Sequence, residues 1–593
     1  MNRIITSIII VLTALTTMAQ GWPEKYDGVM LQGFYWDSYS DTNWANLEGQ
    51  ADEMAQYFNL IWVPNSAYAN DLKMNMGYHP VYWFDHKSAF GTEAQLRSMI
   101  KTFKAKGTGM IEDVVINHRA SVDADWLNFP SETYKGETYR LTAADICQDD
   151  ECINEKDKEG KQIYFPTGAK DSGEAWGGAR DLDHSGANVQ KNVNAYLDFL
   201  LNDLGYVGFR YDFVKGFAAK YVGQYNQTAR PQYSVGECWD GDKTVVTNWL
   251  NGTKQDGQIM SAAFDFPMKY CINDAFSNGG NWSKLDNAAL STDASWARYA
   301  VTFVDNHDTG RQGECPLYAN VEAANAFILT LPGTPCVWLK HWLAYKTTIK
   351  KEIFVRKAAG IHSQSDIVRK EAASNGYVLE VKGAKGNVLL LLGSATTATT
   401  GYKLAVEGTC FKMYVSNSVD ISGLDDIKDD TFTAPDCCVV NEGETCAFFE
   451  APTSYANVKC WAWDSSNNYT GGTWPGEACT KVGTNNGKNV WKWTYSGQLT
   501  TQPSNIIFSN DGANQTSDLD FANGGYYNEA GAMQGVVTGI MLTKSASTAG
   551  KLVRVYTIDG HLLRVMPAGT SMQEAVNQLK HGIYMIDGKK VVK

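Results

Sequence analysis

Between residues 30 and 339 the sequence alternates short apolar segments with longer amphipathic ones, and this alternation constrains the fold more than any other feature. Strands that alternate with helices are typical of a parallel sheet covered by helices. We predict a closed (β/α)8 barrel because there are eight such strands and several end in charged residues, whereas a doubly wound sheet is the alternative. The predicted strands are 30–36, 60–64, 109–117, 208–213, 233–239, 262–266, 300–306 and 335–339, and the clearest helices are 93–106, 189–204 and 321–331.

The segments outside this alternation predict further domains. Residues 119–184 are rich in Gly, Asp, Tyr and Trp and are too long for an ordinary loop, which predicts a loop-rich domain inserted after the third strand. After about residue 360, short strands alternate with turns, which predicts antiparallel all-β domains. The predicted organisation is a signal peptide 1–19, a barrel 20–117 and 185–360, an insert 118–184, an antiparallel β domain 361–445, a β-sandwich 446–535 and a small β unit 545–593.

The first nineteen residues have the composition of a secretory signal: Arg3, an apolar run over 4–15 and small residues up to Ala19. The apolar run is too short to span a bilayer, and no later segment is long enough, so we predict an exported protein without a transmembrane segment. A buried first helix is the alternative.

Net charge and cysteine content indicate which partners and which redox compartment suit the protein. A formal charge of −13 argues against nucleic acid as a partner, because phosphates require basic patches. The twelve cysteines of an exported chain would meet an oxidising compartment, and the pairs Cys147–Cys152 and Cys460–Cys479 are close enough in sequence to suggest local bridges. None of them has the spacing of a zinc site.

Four motifs carry the candidate chemistry: DVVINH (113–118), GFRYDFVKG (208–216), GECWD (236–240) and FVDNHD (303–308). Each is an apolar strand that runs into charged residues at its C-terminal end, which is the end where barrels of this kind hold their active sites. The motifs therefore predict one pocket, and its composition suits acid/base and nucleophilic work on an uncharged sugar. It would contain the side chains Asp212, Glu237, Asp308, Arg210, His118 and His307.

Cleavage of a glycosidic bond needs an acid at the leaving oxygen and a carboxylate on the other side of the ring. Asp212 suits the nucleophile, because Arg210 lies on the same strand face and would keep it ionised. Glu237 ends an apolar strand, where partial desolvation would raise its pKa as a general acid requires. Asp308 could stabilise the charge of the transition state. Each carboxylate taken alone could instead form a salt bridge or cap a strand end.

Together the four motifs resemble the signature regions of the α-amylase family of glycoside hydrolases, in their usual order, and the resemblance covers about residues 25–445. It implies Asp212 as nucleophile, Glu237 as general acid/base and Asp308 as transition-state stabiliser. It also implies sugar contacts at the cleavage point from His118, Arg210 and His307, stacking by Tyr78 of GYHPVYWFD, and a contact of Lys215 with the leaving-group sugar.

The resemblance also implies a structural calcium ion between barrel and insert. Hard cations take clustered oxygen ligands. Asn117 and Asp181 match the family's ligands, and Asp149 and Asp171 resemble further ones, although a solvated acidic loop is the alternative for these two. Gly216 departs from many members, in which His follows the Lys of GFRYDFVKG, but a glycine supplies the same backbone carbonyl.

Two C-terminal segments resemble known modules. Residues 446–530 resemble a starch-binding module of carbohydrate-binding family 26, with Trp461 and Trp463 on one strand face and Trp474 from the following loop. A buried Trp cluster is the alternative, and Trp491 and Trp493 are expected to be core or surface packing. The end of the chain, with VYTIDG and GIYMIDGKKVVK, resembles the sorting domain of type IX secretion cargo, which implies that machinery as a partner; a structural β appendage is the alternative.

From these features we predict a secreted, monomeric, retaining endo-α-amylase that hydrolyses internal α-1,4-glucosidic bonds of starch and related α-glucans, with calcium as its cofactor. It would be extracellular or attached to the outer cell surface. A transglycosylase or an α-1,6-debranching enzyme would use the same three carboxylates. A rival from another class is a non-catalytic extracellular starch-binding protein.

Overall fold

A computed structural model describes most of the chain and divides it into two compact units, Met1–Asp429 and Asp430–Lys593. The predicted signal 1–19 and most of the predicted unit 545–593 lie outside the described residues. Among the helices that are described, none is long and apolar enough to cross a membrane. The described residues are 21–69, 76–311, 313–428, 432, 434–441, 444–485, 487–495, 501–516, 518–528 and 533–537, with the strands 553–557, 562–566, 583–586 and 589–592.

Eight parallel strands close into a barrel in the first unit, which confirms the predicted (β/α)8 fold. We number these strands β1 to β8 along the chain; each pairs with its neighbours in sequence, and β1 pairs with β8. All eight are buried almost throughout, as strands covered by helices must be. They are β1 Met30–Gln32, β2 Leu60–Val63, β3 Gly109–Val114, β4 Gly208–Tyr211, β5 Tyr233–Gly236, β6 Ala262–Phe264, β7 Ala300–Phe303 and β8 Thr334–Trp338.

Most of the strands end several residues before their predicted ends. The predicted strand 109–117 pairs only over Gly109–Val114, and the predicted strand 300–306 only over Ala300–Phe303. The hydrogen-bonded ladder stops there, and the polar residues Asn117 and Asn306 lie beyond it. Asp212, Glu237 and Asp308 therefore lie beyond the ends of their strands, and His118 lies in the segment that follows β3.

Amphipathic helices cover the barrel. Helix Glu93–Ala105 begins at a capping box of Thr92 and Gln95 and buries Leu96, Met99 and Phe103, which recur at helical spacing. The predicted helix 189–204 is an α-helix that continues as a π-helical segment. The α-helices are Trp44–Gly49, Ala51–Tyr57, Glu93–Ala105, Ala187–Asp198, Ala219–Ala229, Lys243–Gly252, Phe266–Phe276, Val321–Thr330, Leu339–Ala344 and Lys346–Ala359, with the π-helix Phe199–Leu204.

The long segment after β3 folds over the barrel rim with little regular structure. The two-residue strands His118–Arg119 and Arg180–Asp181 pair antiparallel, so both ends of the segment are tied together beside β3. A hairpin of Glu132–Tyr134 and Glu137–Tyr139 lies between them. Arg119 is buried and forms an ion pair with Glu132, which holds the hairpin against the start of the segment.

An antiparallel five-stranded sheet completes the first unit, and its inner face, including Tyr377, Leu379 and Leu390, joins the hydrophobic core of the barrel. In order across the sheet, its strands are Asp366–Ala373, Gly376–Lys382, Asn387–Gly393, Phe411–Ser416 and Tyr402–Gly408.

The second unit contains a β-sandwich. Side chains from both sheets, such as Phe449 and Phe508, share one core, and their rings stack at 4.7 Å between centroids. One pairing, between Thr445–Ala451 and Gly525–Asn528, is parallel. The first sheet contains Thr480–Asn485, Lys488–Tyr495, Thr445–Ala451, Gly525–Asn528 and Met533–Val536, and the second Glu477–Ala478, Val458–Trp463, Asn505–Asn510 and Leu519–Asp520. Beyond the sandwich, Leu562–Met566, Val553–Thr557, Ile583–Ile586 and Lys589–Val592 form a four-stranded sheet.

The suggested local disulfides are not present. All twelve cysteines are free thiols. Cys152 hydrogen-bonds to Asp150 and burial raises its pKa to about 12, whereas Cys147 is buried within the insert. Cys460 and Cys479 are neighbours in the core of the sandwich but remain separate thiols.

Candidate active site

Arg210 is the centre of the polar cluster at the rim of the barrel. Its side chain is fully buried on β4, and Nη1 donates hydrogen bonds of 2.7 Å to both Asp113 Oδ1 and Asp212 Oδ1. Its Nη2 forms an ion pair with Glu237 Oε1. A buried guanidinium is tolerated only when it is paired. One cation therefore draws together carboxylates from β3, from the end of β4 and from the end of β5.

Glu237 is buried directly after β5, where its Oε2 accepts a hydrogen bond of 3.1 Å from the backbone N–H of Phe213. Burial raises the pKa of Glu237 to about 8; Arg210 opposes this shift and the negative charge of Asp212 adds to it. The raised pKa favours the protonated form of this carboxyl group, from which it can donate a proton, as a general acid requires.

Asp308 lies in the loop after β7 and also lines the cavity. Its two oxygens have different partners: His307 Nε2 lies 3.1 Å from Oδ2, and Arg311 Nη2 lies 3.1 Å from Oδ1. Burial raises the pKa of Asp308, and Arg210 and Arg311 counteract this shift.

A chain of hydrogen bonds fixes His307 and Tyr78. The amide of Gln32 donates to His307 Nδ1 at 2.8 Å, so Nε2 carries the proton and faces Tyr78 Oη at 2.6 Å. The Tyr78 hydroxyl in turn donates to Asp113 Oδ2 at 2.8 Å. Burial and Arg210 lower the pKa of His307 well below its usual value, so the imidazole is neutral.

Aromatic rings form the walls of the site. Tyr78 lies parallel to Trp36, with 6.0 Å between ring centroids and 2° between planes. On the insert side, Trp176 stacks on His118 at 3.9 Å, and His118 Nε2 donates to the Tyr78 carbonyl at 2.8 Å. Burial lowers the pKa of His118 to about 4, so it too is neutral.

These groups enclose a cavity of about 560 Å³, with flat apolar rings beside carboxylates. Such a mixture suits a neutral, polyhydroxylated ring, whose faces are apolar and whose edges hydrogen-bond. The lining residues are Trp36, Tyr78, His79, His118, Trp176, Asp212, Phe213, Glu237, Trp239, Asp308, Arg311 and Glu314.

The structure brings the residues of the predicted site together with one exception. Arg210 and His307 contact lining residues from below. Lys215 does not line the cavity; its Nζ is held by Glu174 at 2.9 Å and Asp240 at 3.3 Å.

Sequence reasoning missed Asp113, which the structure places at the centre of the cluster. It is fully buried and accepts from Arg210, from Tyr78 and, at 3.1 Å, from Trp62 Nε1. Burial raises its pKa to about 7, against the lowering effect of Arg210. The signal was available, because Asp113 opens the motif DVVINH and pairs in register with Arg210 across β3 and β4.

The predicted calcium ligands lie near one another at the base of the insert. Asn117 Nδ2 donates to Asp181 Oδ1 at 3.0 Å, and Asn117 Oδ1 is buried without a hydrogen-bond donor among the described residues. A Cβ at Gly216 would lie 2.1 Å from that oxygen, so only glycine fits there. Asp171 Oδ2 is likewise buried without a donor, and the Asp171 N–H donates to Asp149 Oδ1 at 2.8 Å.

A group of acidic side chains adjoins these oxygens. One oxygen from each of Asp150, Glu151 and Asp181 lies within 4.8 Å of the others. Arg180 already pairs with Asp150 and Glu151. Burial and the neighbouring acids raise the pKa of Asp181 to about 8. A dense set of oxygens with too few donors fits a hard divalent cation.

Two of the three predicted tryptophans of the second unit are in contact, and the third shares a strand face with one of them. In strand Val458–Trp463, alternate residues are buried, so Trp461 and Trp463 share the outer face. Trp474 is 41% exposed and its ring meets Trp461 at 5.8 Å and 63°. Trp493 is instead buried in the core, where its Nε1 donates to Glu477 at 3.1 Å.

Comparison with known proteins gives matches for both units. The family described as "Alpha amylase, catalytic domain" matches residues 58–356, and "Starch-binding module 26" matches residues 447–521. The protein named "Probable alpha-amylase 2" of Arabidopsis thaliana is 30% identical over 410 residues, which cover 64% of this chain and 93% of that protein. A "Glucan 1,4-alpha-maltotetraohydrolase" of Stutzerimonas stutzeri is 29% identical, covering 62% of this chain and 68% of that one.

Among solved structures, an alpha-amylase from Geobacillus thermoleovorans in complex with acarbose has the same fold. Its TM-score is 0.51 at 13% identity, and the match covers 66% of this chain and 98% of that one.

Proposed function

The chain belongs to the alpha-amylase family of glycoside hydrolases and carries a starch-binding module, and we propose that it is a retaining, endo-acting α-amylase that hydrolyses internal α-1,4-glucosidic bonds of starch and related glucans. One observation carries the proposal: the buried guanidinium of Arg210 pairs with both Asp212 and Glu237, and these two carboxylates line a cavity together with aromatic rings.

The chemistry follows from the protonation states of these groups. Glu237 donates its proton to the glycosidic oxygen as the C–O bond breaks, and an Asp212 oxygen bonds to the anomeric carbon. Asp308 offers a carboxylate to the positive charge that develops on the ring. Glu237, now ionised, then takes a proton from water, whose oxygen displaces Asp212 and restores both carboxyl groups. Tyr78 supplies a flat face beneath the sugar.

Retention of configuration is favoured by how closely the carboxylates lie. The two N–H ends of one guanidinium are adjacent, so oxygens bound to both ends are near neighbours. Carboxyl groups about 5–5.5 Å apart act by double displacement, whereas inverting enzymes separate them to admit a water. Because Arg210 joins Asp212 and Glu237, we infer the shorter separation.

We propose that calcium binds where the insert meets β3. Asn117, Asp181 and Asp171 would supply side-chain oxygens, Gly216 a carbonyl, and Asp149 or Asp150 a further carboxylate. The ion would neutralise the acidic cluster and fix the insert, which carries Trp176 of the cavity wall.

The remaining assignments are also proposals. We propose that Trp461, Trp463 and Trp474 form a platform for a helical glucan, and that Lys215 contacts the leaving-group sugar when Glu174 and Asp240 release it. We also propose export as a monomer, directed by residues 1–19 and by a C-terminal sorting domain, to the medium or the outer cell surface.

This function is tested by measuring which glucans and which types of glycosidic bond the protein cleaves. The wild type should lower the viscosity of soluble starch before many reducing ends appear, and Glu237→Gln should lose this activity while remaining folded. Cleavage of pullulan would favour an α-1,6-debranching enzyme, and products bearing an added acceptor would favour a transglycosylase. Starch binding without release of reducing sugar would establish the non-catalytic binding protein instead.

A further inference from the structure

Arg311 touches both the candidate stabiliser and an aromatic wall of the cavity. It follows Asp308 by three residues, and its Nη2 lies 3.1 Å from Asp308 Oδ1. Its guanidinium carbon lies 4.4 Å from the centre of the Trp36 ring. Both Arg311 and Trp36 line the cavity, and the Arg311 side chain is 38% exposed. The cation therefore lies where substrate binds and contacts the carboxylate directly.

The two side-chain oxygens of Asp308 have unlike neighbours. His307 approaches Oδ2 and is neutral, because its burial lowers its pKa well below the usual value. Arg311 approaches Oδ1 and is the only cation in an ion pair with Asp308 among the described residues. Arg210 acts on Asp308 from further away, since its N–H groups bind other carboxylates.

We propose that Arg311 is a positioning residue that fixes the carboxylate of Asp308 toward the cleavage point and keeps it ionised during the reaction. This inference rests on the proposed function, because it assigns Asp308 the task of stabilising a positive transition state. The ion pair at Oδ1 and the contact with His307 at Oδ2 restrict the rotation of this carboxylate. An ionised carboxylate is also the form that offsets developing positive charge.

The surroundings of Arg311 fit this task. The planar guanidinium lies over the Trp36 indole, which limits its rotation, and Glu314 Oε1 lies 3.9 Å from Nη2 as a second anchor. An ammonium group lacks this planar face, so lysine would keep the charge but lose the fixed orientation.

Other titratable groups lie close enough to Arg311 or Asp308 to interact with their charges. The Asp37 carboxyl also feels the charge of Arg311, together with that of Lys340. Glu237 and Tyr78 are the titratable groups that feel the charge of Asp308 across the cavity. Burial of Asp308 disfavours its ionised form; the charge of Arg210 counteracts this effect from a distance, and the charge of Arg311 does so by direct contact.

The test is the pH dependence of kcat/KM on soluble starch for the wild type, Arg311→Met and Arg311→Lys. Removal of the cation should raise the pKa of Asp308, so the acid limb of Arg311→Met should move toward neutral pH by about one unit, with kcat lowered about tenfold. Arg311→Lys should keep the wild-type acid limb while kcat falls a few-fold. Arg97→Met removes a surface arginine paired with Glu93 and Asp203, and should change neither quantity.

A second measurement does not depend on catalysis. The Asp308 carboxyl carbon, assigned with Asp308→Asn, is titrated by ¹³C NMR in the wild type and in folded Arg311→Met. A rise of its pKa in the variant supports the proposal even if the wild type proves inactive, which would refute only the proposed function. An unchanged pKa together with an unchanged acid limb would overturn the role of Arg311.

Discussion

The loop that carries Asp308 is closed at its base by Lys269, and we expect replacement of this lysine by methionine to destabilise the first unit strongly. Lys269 belongs to helix Phe266–Phe276 and is fully buried. Its Nζ lies 2.5 Å from Asp305 Oδ1, 2.7 Å from Asn273 Oδ1 and 3.0 Å from the Cys315 carbonyl. One ammonium group thus joins the start of the loop to its end.

The size of the stability loss depends on the charge that Asp305 keeps when Lys269 is replaced. Burial works against its ionised form, but His341 and Lys269 more than offset this and lower its pKa, so it is charged at neutral pH. Methionine fills the volume of lysine and leaves His341, 3.6 Å away, beside this buried carboxylate, but it removes the ammonium group, which costs about 3–5 kcal/mol. The double variant Lys269→Met/Asp305→Asn removes both charges, and we expect it to regain most of that loss.

Equilibrium urea unfolding of the full chain measures these differences, taken at the transition that coincides with loss of starch hydrolysis. Because the loop positions Asp308, kcat should fall in Lys269→Met below the midpoint of unfolding as well. A loss of less than about 1 kcal/mol in the single variant, or a double variant no more stable than the single one, would refute the reasoning.

Three further results are expected. Activity should decline as pH rises above about 8, because the raised pKa of Glu237 leaves the acid deprotonated there, by about tenfold per unit; a flat profile up to pH 10 would contradict this. Chelation by EDTA should lower the melting temperature by several degrees. Gly216→Ala should lower it without chelator, because the added Cβ would lie 2.1 Å from Asn117 Oδ1. A melting temperature that neither change alters would contradict the calcium proposal. Trp461→Ala and Trp474→Ala should each weaken binding to granular starch by about tenfold while leaving hydrolysis of maltoheptaose unchanged, whereas Tyr318→Ala, which removes an 80% exposed ring of the first unit, should not affect binding.

The barrel could be predicted because its strands are short, apolar and regularly separated, and because barrel chemistry gathers at the C-terminal ends of strands. The same rule predicted that Asp212, Glu237 and Asp308 would meet. The strand ends were placed too late because polar residues such as Asn117 and Asn306 continue an apolar run in sequence but leave the hydrogen-bonded ladder in space.

The sequence alone did not predict which residues the insert adds to the cavity wall or which residues pair across neighbouring strands. Trp176 reaches His118 only because the two ends of the insert pair, and nothing in its Gly-rich surroundings indicates that pairing. Asp113 could have been found, since an arginine buried on β4 requires carboxylates on its neighbours and β3 offers one in register. Lys215 could not be placed, because acidic partners from two separate loops draw it aside.

The central claim is that Asp212 is a nucleophile assisted by Glu237. It is tested most directly by reducing-sugar release from soluble starch by the wild type and Asp212→Asn, with calcium present and the product anomer followed by NMR. The account predicts α-anomeric products from the wild type, and a variant that is folded, binds starch and releases nothing. Formation of the β-anomer, or substantial activity in folded Asp212→Asn, would contradict it.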